Sequence, residues 1–509
     1  MDIFNSIITW VMKKRIHQIE LFIKYPHEVQ QELLNGLITR ARDTVFGKEH
    51  GFSSIKTYRE YKNRVPVTPY EGHFPYIKRI MHGEQNVLWP SEIKWFAKSS
   101  GTTNTKSKFI PVSPEALEDC HLKGGKDMLS IYLNDRPDSK MFVGKGLSIG
   151  GSHEINQLDP TANSKYGDVS AVIMQNMPLW AKYVRTPSEE VALLSGWEEK
   201  LERMAAEVAD ENVSSMAGVP TWSVLVLQRV MEIKGVDDIS AVWPNLEIFF
   251  HGAVAFAPYR DLFKSMISSP RMQYMETYNA SEGFFGLQDS LDTEDLLLML
   301  DYGIFYEFIP MDSIHEDDPP ALQLEEVELG KNYAMVISTN AGLWRYKIGD
   351  TVRFTSLNPF RIRISGRTRH FINAFGEELI VENAEQAISA ASEATHATID
   401  NFTAAPIYLK SHEQGGHEWI IEFSTPPDNL DEFINVLDNE LKLANSDYEA
   451  KRQHDMALTK PKVVVAEPGT FYTWMKNRGK LGGQNKVPRL CNDRKYVDEL
   501  LAMLGEKVS

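Results

Sequence analysis

Two periodicities organise the hydrophobic positions of the chain. Val29, Leu33, Leu34, Leu37 and Ala41 recur at helical spacing after Pro26, a residue suited to a first helical turn. Trp197, Leu201, Met204 and Val208 repeat that spacing. Both stripes predict amphipathic helices whose apolar faces are core. Apolar runs of strand length lie between such helices, at 141–143, 246–250, 296–300, 304–309 and 333–339. Phe360, Ile362 and Ile364 alternate with Arg361 and Arg363, the signature of a half-buried strand. Helices interleaved with strands predict an α/β fold with helix-covered β-sheets.

Past Gly366-Arg367 the pattern changes to a helix over 381–394, strands at 407–409 and 419–423, a helix carrying Phe433, Leu437 and Leu441, and a strand at 463–466. A boundary near residue 365 follows. It separates a large amino-terminal domain, 1–365, from a small α+β carboxy-terminal domain, 366–509. The stretches 315–320 and 425–430 read as short linkers.

A chain of 509 residues with 42% apolar, 10% aromatic and 24% charged residues is long enough for several domains and has a globular composition. Its 54 basic and 70 acidic residues leave a net charge of −16, which disfavours binding to nucleic acid or an anionic membrane through a broad positive field. Cys120 and Cys491, far apart, form neither a disulfide framework nor a zinc pattern. The segment 3–12 is apolar, but no positive region precedes it and no small-residue cleavage site follows; with Lys13, Lys14 and Arg15 it reads as an amphipathic helix. No apolar run is long enough to span a bilayer. The expectation is a cytoplasmic protein, monomeric by default.

Five segments carry candidate chemistry. Lys98-Ser99-Ser100-Gly101-Thr102-Thr103 is rich in small hydroxylic residues and continues to Lys106 and Lys108. A loop of that kind wraps N–H groups and hydroxyls around phosphate oxygens, with lysine supplying charge. It is not a Walker A loop, since GxxxxGK[ST] is absent. Tyr278-Asn279-Ala280-Ser281-Glu282-Gly283, preceded by His251-Gly252-Ala253, offers an aromatic face for a purine and a carboxylate for magnesium. Asp350, following Gly349, is a carboxylate suited to accepting both ribose hydroxyls. The run from Ser365 through Arg367 to Glu378 coincides with the inferred boundary, and Gly479 to Arg489 is a glycine-rich loop presenting Lys480 and Lys486.

In this order the five segments resemble the core motifs of the acyl-adenylate-forming superfamily. The closer resemblance is to the acyl acid amido synthetases of the auxin-responsive family, carried by Phe109-Ile110-Pro111 after the phosphate run, by Phe305-Tyr306-Glu307-Phe308-Ile309-Pro310, and by Asn485-Lys486-Val487-Pro488-Arg489. It covers residues 90 to 490. Asn104 stands where many superfamily members have glycine, and the usual hinge aspartate and lysine are absent from 368–374.

That resemblance implies an ATP-dependent ligase that converts a small carboxylic acid to acyl-AMP and passes the acyl group to an amino acid. It implies that Ser99, Ser100, Gly101, Thr102 and Thr103 bind phosphates, that Tyr278 and Asn279 lie near the adenine, that Glu282 serves Mg2+, and that Asp350 holds the ribose. Arg367 would sit at the hinge side of the nucleotide, and Lys486 would be the mobile cation at the α-phosphate, with Thr102 and Glu282 completing the catalytic set. The alternatives are an acyl-CoA ligase working through the same adenylate and a catalytically silent nucleotide-binding scaffold. The acid pocket draws on 144–153, 168–178 and 251–256. His121, His153 and His251 are open as bases but read more simply as packed or surface side chains, and His412 and His417 read as a hairpin tip.

Overall fold

The computed structural model describes residues 15–505 except 104, 151–155, 160, 179–180, 182, 195–196, 315, 317–318, 368–370, 410–413, 454–456 and 479–486. Its spine is an eleven-stranded mixed sheet. From one edge the strands run Ile304–Pro310, Asn332–Thr339, Tyr346–Leu357, Phe360–Arg367, Leu296–Leu298, Gly283–Gln288, Gln273–Ala280, Ile248–Gly252, Val213–Gly218, Lys145–Ile149 and Arg185–Thr186. The first seven pair antiparallel and the remaining pairings are parallel. Parallel neighbours need crossovers, and helices Trp197–Val208, Pro220–Lys234 and Arg260–Met266 lie in the connections that lead into strands Val213–Gly218, Ile248–Gly252 and Gln273–Ala280.

The antiparallel half buries one large apolar cluster. It includes Trp89, Trp344, Tyr302, Tyr306 and Phe354 and takes in the predicted stripe of helix Pro26–Ala41 through Leu34, Leu37 and Ala41. The parallel half shares a second cluster with the carboxy-terminal part: Met204, Val208, Phe249 and Phe263 are in the same core as Phe375, Leu379, Ile388, Trp419 and Leu437.

The predicted strand at 141–143 is a turn instead. The Val143 N–H bonds to Lys140 O, and the backbone N–H of Lys140 is taken by the buried Glu247 carboxylate, so the chain enters the sheet only at Lys145. The predicted 407–409 strand ends where it was expected to begin, the strand being Thr398–Ile407.

The run at 98–103 also differs from the expected loop. Its backbone belongs to strand Trp95–Thr103, paired antiparallel with Thr105–Val112 in a separate four-stranded sheet with Ser164–Gly167 and Asn156–Asp159. Ser99 lies opposite Lys108 and Thr103 opposite Thr105. Threonine branches at Cβ and suits extended backbone, so a hydroxyl-rich run is as compatible with a hairpin as with a loop.

Beyond Arg367 a two-stranded ribbon, Phe371–Ile372 with Leu379–Ile380, leads into helix Val381–Ala394. A three-stranded sheet follows, ordered Thr398–Ile407, Gly416–Thr425 and Lys462–Ala466, with helices Leu430–Ala444, Ser446–Arg452, Thr470–Asn477 and Lys495–Leu504. Tyr259 ties this part to the large one, its hydroxyl donating to Ala374 O at 2.6 Å.

Candidate active site

The sheet places the site where its antiparallel and parallel halves meet. Strand Ile248–Gly252 ends beside strand Gln273–Ala280, and a Cβ on Gly252 would lie 2.4 Å from Thr277 O, so this crossing accepts only glycine without displacement. Strands Gln273–Ala280 and Gly283–Gln288 form a hairpin with Ser281 and Glu282 at its turn. Asp350 is within strand Tyr346–Leu357 rather than at a strand end, opposite Arg367 in the register. These elements, the hairpin at Lys98, Ser99 and Lys108, and residues of the carboxy-terminal part enclose a cavity of about 540 Å3.

Inside it the side chains form a continuous polar relay. The Tyr278 hydroxyl donates to Asp350 Oδ2 at 2.6 Å, and Arg367 forms an ion pair with the same carboxylate, Nε lying 2.9 Å from Oδ1. The Arg367 fork also reaches Glu378 Oε1 at 2.9 Å. Burial pulls the guanidinium down, yet Glu378 and Asp350 together hold it above its ordinary value. Glu282 accepts from the Tyr346 hydroxyl at 3.2 Å. Burial raises the Glu282 carboxyl, against the pull of Lys108 and with the repulsion of Asp350. Tyr278 is pushed well above the usual phenol range, first by burial and then by Asp350, so it remains a hydrogen-bond donor.

Two further carboxyls on the cavity wall are lifted mainly by burial, Asp168 and Glu276, each to about 7. Neither was singled out from sequence, because a lone aspartate or glutamate carries no motif. Tyr346 and Glu378 reach the site through the sheet register and the ribbon after Arg367, which no local motif marks.

The histidines divide. His121 is buried with Nδ1 3.3 Å from Asn279 Oδ1, and burial lowers it to about 4. His251 stacks on Phe256 with ring centroids 3.9 Å apart, its Nδ1 finds no partner among the described residues, and burial lowers it to about 3. Both are packed side chains. His417 corrects the hairpin-tip expectation: it is buried in strand Gly416–Thr425, its Nε2 2.8 Å from Glu377 Oε1, which itself accepts from the Ala374 N–H; the other Glu377 oxygen accepts from the Phe375 N–H. His153, His412, Lys480 and Lys486 are outside the described residues, as are the side chains of Ser100, Thr102 and Thr103.

Among the described residues no group of three or more His, Cys, Asp or Glu side chains is arranged to hold a metal unaided. Magnesium bound with a triphosphate needs only one or two carboxylates, and Glu282, a hard oxygen donor on the cavity wall, fits that requirement.

Three family models match in succession: the GH3 family N-terminal domain over residues 15–272, the central domain over 297–367 and the C-terminal domain over 382–495. Among curated relatives, an indole-3-acetic acid-amido synthetase of Arabidopsis thaliana, GH3.3, is 21% identical over 96% of this chain and 93% of its own. A jasmonoyl-L-amino acid synthetase of Oryza sativa subsp. japonica, GH3.5, is 22% identical over 94% of this chain and 95% of its own. The fold resembles the solved GH3.15 acyl acid amido synthetase, with a TM-score of 0.61 at 16% identity over 97% of this chain and 96% of that one. It also resembles a 2-hydroxyisobutyryl-CoA ligase in complex with 2-HIB-AMP and CoA, with a TM-score of 0.55 at 12% identity over 95% and 92%. With its three domain models matched in order along one chain, the protein belongs to the GH3 family.

Proposed function

We infer that the protein is an ATP-dependent acyl acid amido synthetase, which adenylates a carboxylic acid and then transfers the acyl group to an amino acid. The observation that carries this reading is the single cavity onto which Glu282, the Tyr278–Asp350–Arg367 relay and Lys108 of the hydroxyl-rich hairpin all face.

A carboxylate resists nucleophilic attack because of its charge, so its oxygen must first become a leaving group. In the first step the acid's oxygen attacks the α-phosphorus of ATP, the bond to the β-phosphate oxygen breaks, and pyrophosphate leaves. Charge gathers on the phosphoryl oxygens, and fixed cations and donors stabilise it. We assign Ser99 to Thr103 and Lys108 to the phosphates, Tyr278 and Asn279 to the adenine side, and Asp350 to the ribose. Arg367 is a positioning residue that holds Asp350. Glu282 is the carboxylate assigned to a magnesium ion, which supplies charge neutralisation to the triphosphate when bound. Lys486 is assigned to the α-phosphate, where the small domain from residue 366 onward brings it over the large one. In the second step a neutral amine attacks the acyl carbon, the carbon–oxygen bond to AMP breaks, and the amide leaves with AMP.

The likeness to a CoA ligase fold keeps coenzyme A as the rival acceptor. Acid-dependent exchange of labelled pyrophosphate into ATP tests the first step, and its absence across a broad acid panel overturns the reading. Offering amino acids and coenzyme A to the adenylate and identifying the product by mass spectrometry decides the second. We expect a cytoplasmic monomer; among the described residues no helix is long and apolar enough to cross a membrane.

A further inference from the structure

Helix Pro220–Lys234 opens onto the cavity at its amino end, with Val219 and Trp222 on the wall. Among the described residues no side chain caps it, and its N-cap residue is Val219. An uncapped helix start presents unbonded N–H groups and the positive end of the macrodipole, a setting that favours an anion. Lys451, from helix Ser446–Arg452 of the carboxy-terminal part, lays its ammonium over the Trp222 ring at 4.7 Å from the centroid. Lys451 is only 7% exposed, lines the same cavity, and among the described residues makes no ion pair. A buried ammonium without a carboxylate partner is costly unless a ligand anion completes it.

We propose that Lys451 and the amino end of helix Pro220–Lys234 form the subsite for the carboxylate of the acceptor amino acid, with Asp168 and Asp447 receiving its ammonium. The same wall carries both signs: Asp168 and Asp447 line the cavity with Lys98 and Lys451, and Asp168 feels Asp447, Lys451, Lys98 and Lys200 electrostatically. A triphosphate would be repelled by two such carboxylates, whereas a zwitterion matches the pattern. The large part contributes Asp168 and Trp222 and the carboxy-terminal part Asp447 and Lys451, so the subsite is complete only where the two meet.

The inference rests on the amido synthetase reading, and the test separates them. With an acid that supports pyrophosphate exchange, the proteinogenic amino acids are screened as acceptors, and the best is compared with its decarboxylated amine. In Lys451→Met the KM for the amino acid should rise about tenfold or more while that for the amine changes little, so the preference for a carboxylate collapses. Lys451→Arg should recover part of the preference. Asp447→Asn should weaken amino acid and amine alike.

Pyrophosphate exchange needs no acceptor and reports ATP and acid separately. A raised KM for ATP or acid in Lys451→Met would give the lysine to those ligands and overturn the proposal. Equal losses toward amino acid and amine, unrelieved in Lys451→Arg, would mark a structural role and do the same. Exchange without conjugation of any amino acid by the unaltered enzyme would remove the acceptor reading and this subsite together. Conjugation with an unchanged preference in Lys451→Met would remove the subsite alone.

Discussion

The Tyr278 hydroxyl donates to Asp350 Oδ2 at 2.6 Å within one sheet, although three strands separate theirs in the sheet order and the two residues are 72 positions apart in sequence. Both are buried, and the same carboxylate is gripped on its other oxygen by Arg367. Tyr278 therefore orients Asp350 as well as presenting a ring to the cavity. Tyr278→Phe keeps the ring and removes the donor. A buried hydrogen bond to a charged group contributes about 1.5–3 kcal/mol. We expect the KM for ATP in pyrophosphate exchange to rise about ten- to a hundredfold, with kcat reduced less, in line with a loss of binding rather than of chemistry. An unaltered KM would mean that Asp350 is set by Arg367 alone.

Arg367 bridges Asp350 and Glu378, joining the last strand of the large sheet to the ribbon that begins the carboxy-terminal part. Its removal leaves two carboxylates facing each other in a half-buried setting. Solvent screening keeps the cost below the ~3–5 kcal/mol of breaking a fully buried pair. Arg367→Ala should lower the denaturant midpoint and abolish exchange. Arg367→Lys keeps the charge but loses the fork that reaches both carboxylates, and should be intermediate in both measurements. Full exchange activity in Arg367→Ala would remove Arg367 from the site.

Much of this architecture was legible in the sequence, and the part that was not has a common cause. Helix Val381–Ala394 matches its predicted limits, and the stripes of Pro26–Ala41 and Trp197–Val208 are helical as their spacing requires. Periodicity reports which face of an element is buried, but not which elements meet. The contacts Tyr346–Glu282, Arg367–Glu378 and Lys451–Trp222 depend on sheet register and on a ribbon whose turn holds Gly376 at φ 86° and Glu378 at φ 40°, and no local pattern announces these. The hydroxyl run misled in secondary structure for a different reason. Small hydroxylic residues favour loops by hydrogen bonding to backbone, but threonine also favours strands, and cross-strand pairing decides between them.

The segment Phe305 to Pro310, one of those that carried the family resemblance, is structural. Glu307 is fully buried in strand Ile304–Pro310 and takes the Arg345 guanidinium through both oxygens, at 2.8 to 3.1 Å, along with the Tyr58 hydroxyl at 2.8 Å. Arg345 also donates to the carbonyls of Lys62 and Val65, so the pair fastens the end of helix Tyr58–Arg64 to the sheet. Glu307→Gln should cost about 3–5 kcal/mol in unfolding free energy. Exchange per folded molecule should stay near that of the unaltered enzyme at low temperature, because neither residue lines the cavity. Loss of exchange without loss of stability would overturn this division.

Glu276 provides a test of the cavity's electrostatics that needs no substrate. Its carboxyl is raised from 4.5 to about 7, first by burial and then by Glu294, with Arg363 and Arg260 pulling the other way. The folded protein thus holds this proton more tightly than the unfolded chain. Its contribution to stability is complete below about pH 4.5 and is lost as pH rises through about 7. Glu276→Gln cannot titrate, so relative to the unaltered protein it should gain stability between pH 5 and pH 8, by about 1–3 kcal/mol. Asp168, lifted to about 7 as well, is common to both proteins and cancels in the difference. Urea unfolding of the pair across this range measures the gain directly. A difference independent of pH would mean that water or a neighbouring cation already compensates the Glu276 charge, whereas a loss that grows with pH would reverse the sign of its burial.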